Sequence, residues 1–153
     1  MLQTLRHRGP DDSGIACFDG CVLGHTRLSI IDLSDGRQPM RSPVSDAAVT
    51  FNGEIYGYKS LRASLSGYPF RTASDTEVIL ALYDEVGPPF VSRLPGMFAF
   101  GLWNDTERTL LAVRDRFGEK PFYYARGPAG ELIFASEIKA ILADACLALK
   151  DLV

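Results

Sequence analysis

Cysteine, histidine and net charge are all scarce in this chain. Its 153 residues include three cysteines and two histidines, and the formal charge is only −3. Cys17, Cys21 and Cys146 form no even framework of pairs, so reduced thiols in a cytoplasmic setting are expected. Cys17 and Cys21 flank Phe18-Asp19-Gly20, a hairpin-turn signal, and read as small buried hydrophobes. With His7 and His25 as its only imidazoles, the chain offers poor material for a Cys/His zinc site, and no metal is expected. A pI near 5.3 supplies no basic face for nucleic acid. No apolar run approaches the ~18 residues of a membrane span. The opening MLQTLRHRGP lacks the apolar core of a signal peptide.

What remains is ordinary globular material: 46% hydrophobic and 23% charged residues, in a length that suits one domain with a real core. Ser13–Phe18 and Val22–Asp32 read as strands around Asp19-Gly20. Ala47–Phe51 reads as a short strand ending at Asn52. Ile55, Tyr58, Leu61 and Leu65 then recur at helical spacing, up to Gly67 and Pro69. Ser74-Asp75-Thr76-Glu77 reads as a capping box, with Ser74 accepting from the third helical N–H and Glu77 reaching back to Ser74. Val78, Ile79, Leu82, Tyr83 and Val86 supply that helix's apolar face, and Gly87-Pro88 ends it. Met97–Trp103 and Thr109–Val113 form a hairpin around Asn104-Asp105, and Phe122–Tyr124 and Leu132–Ala135 a second around Gly127-Pro128. Ser136 is placed to cap a closing helix whose Ile138, Ile141 and Leu142 share a side. Strands and helices segregate, which predicts an α+β fold of antiparallel sheets. Several strands are apolar on both faces, so a layered sandwich is expected.

Six segments carry the chemistry: HRGPDDSG (7–14), HTRLSIIDLS (25–34), FNGEIYGY (51–58), SDTEVI (74–79), RDRFGEKPFYY (114–124) and FASEIKA (134–140). An Asn amide beside a Gly N–H at a strand end offers two donors for the oxyanion of acyl transfer; a tight Asn-Gly turn fits the same residues. The first segment reads as architecture, its Gly9-Pro10-Asp11-Asp12 forming a turn. His7 has no Ser or Cys at a spacing that would make it a general base. Arg114-Asp115-Arg116 reads as a set of ion pairs at a strand end.

In order and over nearly the whole chain, these segments resemble the glutaminase domain of glutamine-hydrolysing asparagine synthases. That domain is a class II glutamine amidotransferase of the N-terminal-nucleophile hydrolase type. The resemblance implies a four-layer αββα sandwich of antiparallel sheets lacking the first strand and helix. It assigns residues 1–145 to the amidotransferase domain and 146–153 to the start of a linker. L-glutamine is the implied ligand. Arg27 would grip its α-carboxylate, although a structural ion pair explains an Arg equally well. Asp75 would face its ammonium, or serve only as the acid at a helix N-terminus. Glu54 would contact the polar end, or be an exposed first-turn acid. Asn52 and Gly53 match the oxyanion hole, and backbone near Ile30 would line the pocket.

The resemblance also implies a nucleophilic Cys at the mature N-terminus. Met1-Leu2-Gln3 carries none, so the chain as written is expected to turn over glutamine negligibly. The missing strand and helix are expected to bring reduced stability, aggregation, or pairing with another chain, a second copy included. Gly57 stands where the family usually has Asn, and is expected to weaken a first helical turn. No cofactor is implied for this domain. ATP and Mg²⁺ belong to the synthetase domain that amidates aspartate in the family, which is the implied partner. A glutamine- or partner-binding remnant without turnover, or a domain serving another acceptor, are the alternatives. Ser136-Glu137-Ile138-Lys139 also fits the Ser-x-x-Lys pattern of penicillin-interactive enzymes, without its companion motifs.

Overall fold

The computed structural model of the chain describes residues 1–28 and 36–144. Its organising element is an antiparallel sheet of four strands in the order β3-β4-β5-β6: β3 Met40–Arg41, β4 Ala47–Ile55, β5 Gly96–Asn104 and β6 Thr109–Arg114. Two further antiparallel hairpins stand apart from it, β1 Asp12–Phe18 with β2 Cys21–Arg27, and β7 Tyr123–Arg126 with β8 Leu132–Ala135. Helices α1 (Tyr58–Ser64), α2 (Asp75–Val86) and α3 (Ile138–Leu142) and two 3₁₀ segments, η1 (Leu2–Arg8) and η2 (Pro88–Arg93), complete the described elements.

The period-2 alternation of β4 explains the layering. Ala47, Val49, Phe51 and Ile55 point to one face and join Val78, Ile79, Leu82, Phe90, Phe98 and Phe100 in the main core, beneath α1 and α2. Ala48 points to the other face, where Leu23 of β2 and Trp103 of β5 bury it. There the chain's one tryptophan also donates from Nε1 to Asp105 Oδ1 at 2.9 Å. The Phe134 ring of β8 lies over Gly101 of β5, so both hairpins rest on the same side of the sheet. The outermost layer is α3 with η1: Ala140, Ile141 and Leu5 pack on Ala125 and Ala135 of the second hairpin. Glu137 fastens the two pieces, accepting from His7 Nε2 (2.9 Å), Arg8 Nη1 (3.2 Å) and Lys139 Nζ (3.0 Å). The layers thus run helix, sheet, hairpins, helix, as an α+β sandwich.

Several expectations need correction. β4 does not stop at Asn52; it runs through Asn52-Gly53-Glu54 to Ile55, opposite Ala99, Phe98 and Met97. The tight Asn-Gly turn is therefore excluded, and Ile55 is a strand residue. The chain turns at Gly57 instead, which caps α1 with φ 64° and ψ 20°. Gly is favoured in that left-handed geometry, and Asn is one of the few other residues that tolerate it. Ser74 caps α2 through the N–H of Thr76, the second helical residue. Glu77 turns away from Ser74 to take the N–H of Arg71 (2.8 Å) and Thr72 (2.7 Å) and the Thr72 hydroxyl (2.8 Å). Val86 is exposed. Glu137, not Ser136, is the N-cap position of α3, and of its three predicted apolar residues only Ile141 is buried. Cys17 is exposed and Cys21 half-buried, because the two point to opposite faces of their hairpin.

Arg114 and Asp115 form a backbone clamp rather than ion pairs. Arg114 donates to the carbonyls of Lys120 (2.7 Å) and Gly118 (2.6 Å). Buried Asp115 accepts from the N–H groups of Phe98, Phe117, Glu119 and Lys120. The amides of Lys120 and its companions hold its carboxyl down to about 2 against the opposing effect of burial. Ile30, the later part of the strand expected to Asp32, and Cys146 with the 146–153 linker lie outside the described residues.

Candidate functional site

A cavity of about 1050 Å³ opens between the two hairpins, with the four-stranded sheet as its floor. Arg27, Asn52, Gly53, Glu54 and Asp75, the five residues singled out from the sequence, all line it. They reach it from three elements: Arg27 from the end of β2, Asn52 to Glu54 from β4, and Asp75 from the first turn of α2.

The β4 segment shows why Asn and Gly are needed. Phe98 of β5 uses both its backbone groups on Asp115, donating to Oδ2 and accepting from the Asp115 N–H. Its partner Gly53 consequently turns its own N–H away from β5, to the edge that β3 is too short to cover. On that edge the Phe51 N–H is taken by Gln38 Oε1 (2.6 Å) and the Ile55 N–H by Asp75 Oδ2 (3.0 Å). Gly53 N–H lies between them, at the cavity. Its φ is +155°, and an added Cβ would sit 2.2 Å from the Met97 carbonyl oxygen and 2.7 Å from Phe98 Cα, so only glycine fits. Beside it, Asn52 Nδ2 is buried and has no hydrogen-bond partner. Such an orphan donor is rare in folded proteins. Asn52 and Gly53 are thus adjacent on β4, and both line the cavity.

Charge in the cavity is divided. Arg27 is one of its cations, Arg8 and Lys120 being others in the lining; it packs beside Gly36, where a Cβ would come within 2.9 Å of Nη2. Glu54 and Asp75 supply two carboxylates close enough to couple: burial first, and the Glu54 charge in addition, push the Asp75 carboxyl up, against the hydrogen bonds from Ile55, Thr76 and its own N–H. A cation between them relieves that repulsion. Arg27 and this acidic pair set opposite charges in one cavity, an arrangement that can complement the carboxylate and ammonium of a free amino acid.

Sequence reasoning missed Gln38, Thr50, His25 and Thr76 as cavity residues. Gln38 bridges the layers, donating from Nε2 to Thr76 Oγ1 (3.3 Å) while Oε1 holds the Phe51 N–H. No local signal marks it, because its partners lie 13 and 38 residues away. His7 and Lys139 are engaged with Glu137 on the surface, which leaves the Ser-x-x-Lys reading without its lysine at Ser136. Neither Cys17 nor Cys21 lines the cavity. Among the described residues no cluster of His, Cys, Asp or Glu is arranged to hold a metal, and no helix is long and apolar enough to cross a membrane.

Known proteins share this sequence pattern and this fold. Residues 1–151 match the glutamine amidotransferase domain family. An asparagine synthetase [glutamine-hydrolyzing] 3 of Arabidopsis thaliana is 49% identical over 146 residues, 95% of this chain and 25% of its own. Asparagine synthetase B [glutamine-hydrolyzing] of Escherichia coli (strain K12) is 45% identical over 152 residues, 99% of this chain and 27% of its own. The chain therefore spans about a quarter of the length of these curated relatives. Among solved structures, the glutamine phosphoribosylpyrophosphate amidotransferase of B. subtilis superposes with a TM-score of 0.76 at 23% identity, over 92% of this chain and 38% of that one. The latter similarity is one of fold.

Proposed function

Because this chain belongs to the glutamine amidotransferase domain family, we propose that its cavity binds free L-glutamine and polarises the side-chain carboxamide for ammonia release. Arg27 takes the α-carboxylate, and Glu54 with Asp75 takes the ammonium. Asn52 Nδ2 and Gly53 N–H receive the carboxamide oxygen. The observation that carries this is the orphaned Asn52 donor beside Gly53, in a cavity that Arg27, Glu54 and Asp75 also line. A buried amide left unpaired costs stability, and a ligand oxygen offsets that cost. In a water-poor site, one such donor is worth about 2.7–4 kcal/mol to an oxyanion.

In the relatives named above, hydrolysis of glutamine accompanies asparagine synthesis. By that likeness, the ammonia would serve amidation of aspartate, with ATP, Mg²⁺ and a synthetase domain belonging to the longer protein. The position of Cys17 and Cys21 outside the cavity favours a second reading, a module that binds glutamine without turnover, since they bring no thiol to the bound amide.

Isothermal titration tests the shared claim. L-glutamine is expected to bind, and Arg27→Ala to weaken it about 10- to 100-fold through loss of a charge-assisted pair. Absence of heat with the folded parent chain would refute the proposal. Ammonia production at saturating glutamine then separates turnover from binding alone.

A further inference from the structure

His25 is a polar wall residue of the cavity that the proposed chemistry has not used. It lies two residues before Arg27 on β2. Leu23, His25 and Arg27 therefore share a face, the one that Leu23 buries against the four-stranded sheet. The ring Nδ1 stands 3.4 Å from Thr50 Oγ1. Thr50 has a single hydroxyl proton, and it goes to the Gly24 carbonyl at 3.1 Å. Thr50 can meet His25 only as an acceptor, so the imidazole proton belongs on Nδ1 and Nε2 carries a bare lone pair. Nε2 has no partner among the described residues, and His25 lines the cavity. Burial and then the Arg27 charge, opposed by Asp12, lower its pKa to about 4 and keep the ring neutral near pH 7.

We propose that His25 Nε2 accepts a hydrogen bond from the carboxamide NH₂ of glutamine and thereby selects glutamine over glutamate. The inference rests on the glutamine reading and deepens it. A carboxamide has one acceptor oxygen and two N–H donors. Asn52 and Gly53 serve the oxygen, and the NH₂ then needs an acceptor. Glutamate presents a second oxygen at that place, lone pair against lone pair, and a neutral imidazole has no proton on that side to offer. The spacing suits the ligand: Arg27 and His25 are about 7 Å apart along the strand, commensurate with an extended glutamine spanning carboxylate to amide. Rejection through an unpaired polar group is a stronger filter than shape alone.

Titration calorimetry with L-glutamine and L-glutamate, on the parent and two variants, tests the assignment. His25→Asn keeps a polar group near the Nδ1 position facing Thr50 and deletes the Nε2 acceptor; His25→Gln restores a polar atom near the Nε2 position. The parent is expected to prefer glutamine, His25→Asn to lose about ten-fold or more of that preference with its thermal midpoint retained, and His25→Gln to recover part of it. A glutamine preference unchanged in folded His25→Asn overturns the role of His25 and leaves the glutamine reading standing. A parent that binds neither amino acid overturns both. Long-range ¹⁵N NMR of the His25 ring gives an independent check: a proton on Nε2 in the free protein overturns the assignment, and a proton on Nδ1 supports it.

Discussion

At the scale of single residues, Gly53 and Asp75 carry the sharpest expectations. Gly53→Ala drives a Cβ into the Met97 carbonyl, and is expected to cost several kcal/mol in urea unfolding, beyond the ~1–3 kcal/mol of ordinary overpacking. Asp75 is an acid whose folded pKa lies above its ordinary 3.8, mainly through burial. The sign follows directly. The folded state holds the proton more tightly, so stability of the ligand-free protein falls as pH rises from about 4 through the raised pKa. Asp75→Asn is expected to flatten that pH dependence while weakening glutamine binding, both measurable in one set of thermal and calorimetric titrations. Arg27, Asn52, Gly53, Glu54 and Asp75 were singled out from short motifs and the family resemblance those motifs carry, and the fold brings the five to one cavity. The tautomer of His25 was not legible, since it is set by Thr50, a residue on another layer.

At the scale of elements, the N-terminus of α2 shows where local rules give way. The spacing of Ser74 and Glu77 fits a capping box, and Ser74 does cap. Glu77 satisfies the preceding loop instead, accepting from the backbone N–H groups of Arg71 and Thr72. Ser74→Ala is therefore expected to cost about 1 kcal/mol. Glu77→Ala, which orphans two amides and a hydroxyl, is expected to cost about 3 kcal/mol or more by denaturant titration. The misread end of β4 has a similar origin. Asn and Gly are turn formers in isolation, but nine residues of pairing with β5 keep the strand extended. Tertiary pairing outweighs a two-residue preference. The α1 helix, by contrast, begins where a glycine can adopt a left-handed conformation, and its start was displaced by only one turn from the apolar pattern.

At the scale of the whole molecule, segregation of strands and helices announced an α+β sandwich, whereas the division of the strands among three separate sheets was invisible, because sequence patterns report faces and not neighbours. Two-stranded hairpins are marginal alone, and β1–β2 and β7–β8 rely on the layers above and below. Amide exchange is expected to be faster in both hairpins than in β4 and β5, and slowed in β2 by glutamine, as a ligand bound only to the native state requires. Trp103 gives this architecture a practical reporter. The indole sits between the central sheet and the first hairpin, against Leu23 and Ala48, and the sequence has no second tryptophan to confuse the signal. Its emission therefore registers the seating of one layer on another: a red shift that precedes loss of circular dichroism would time the lifting of that hairpin, and with it the opening of the glutamine cavity, before the rest of the protein melts.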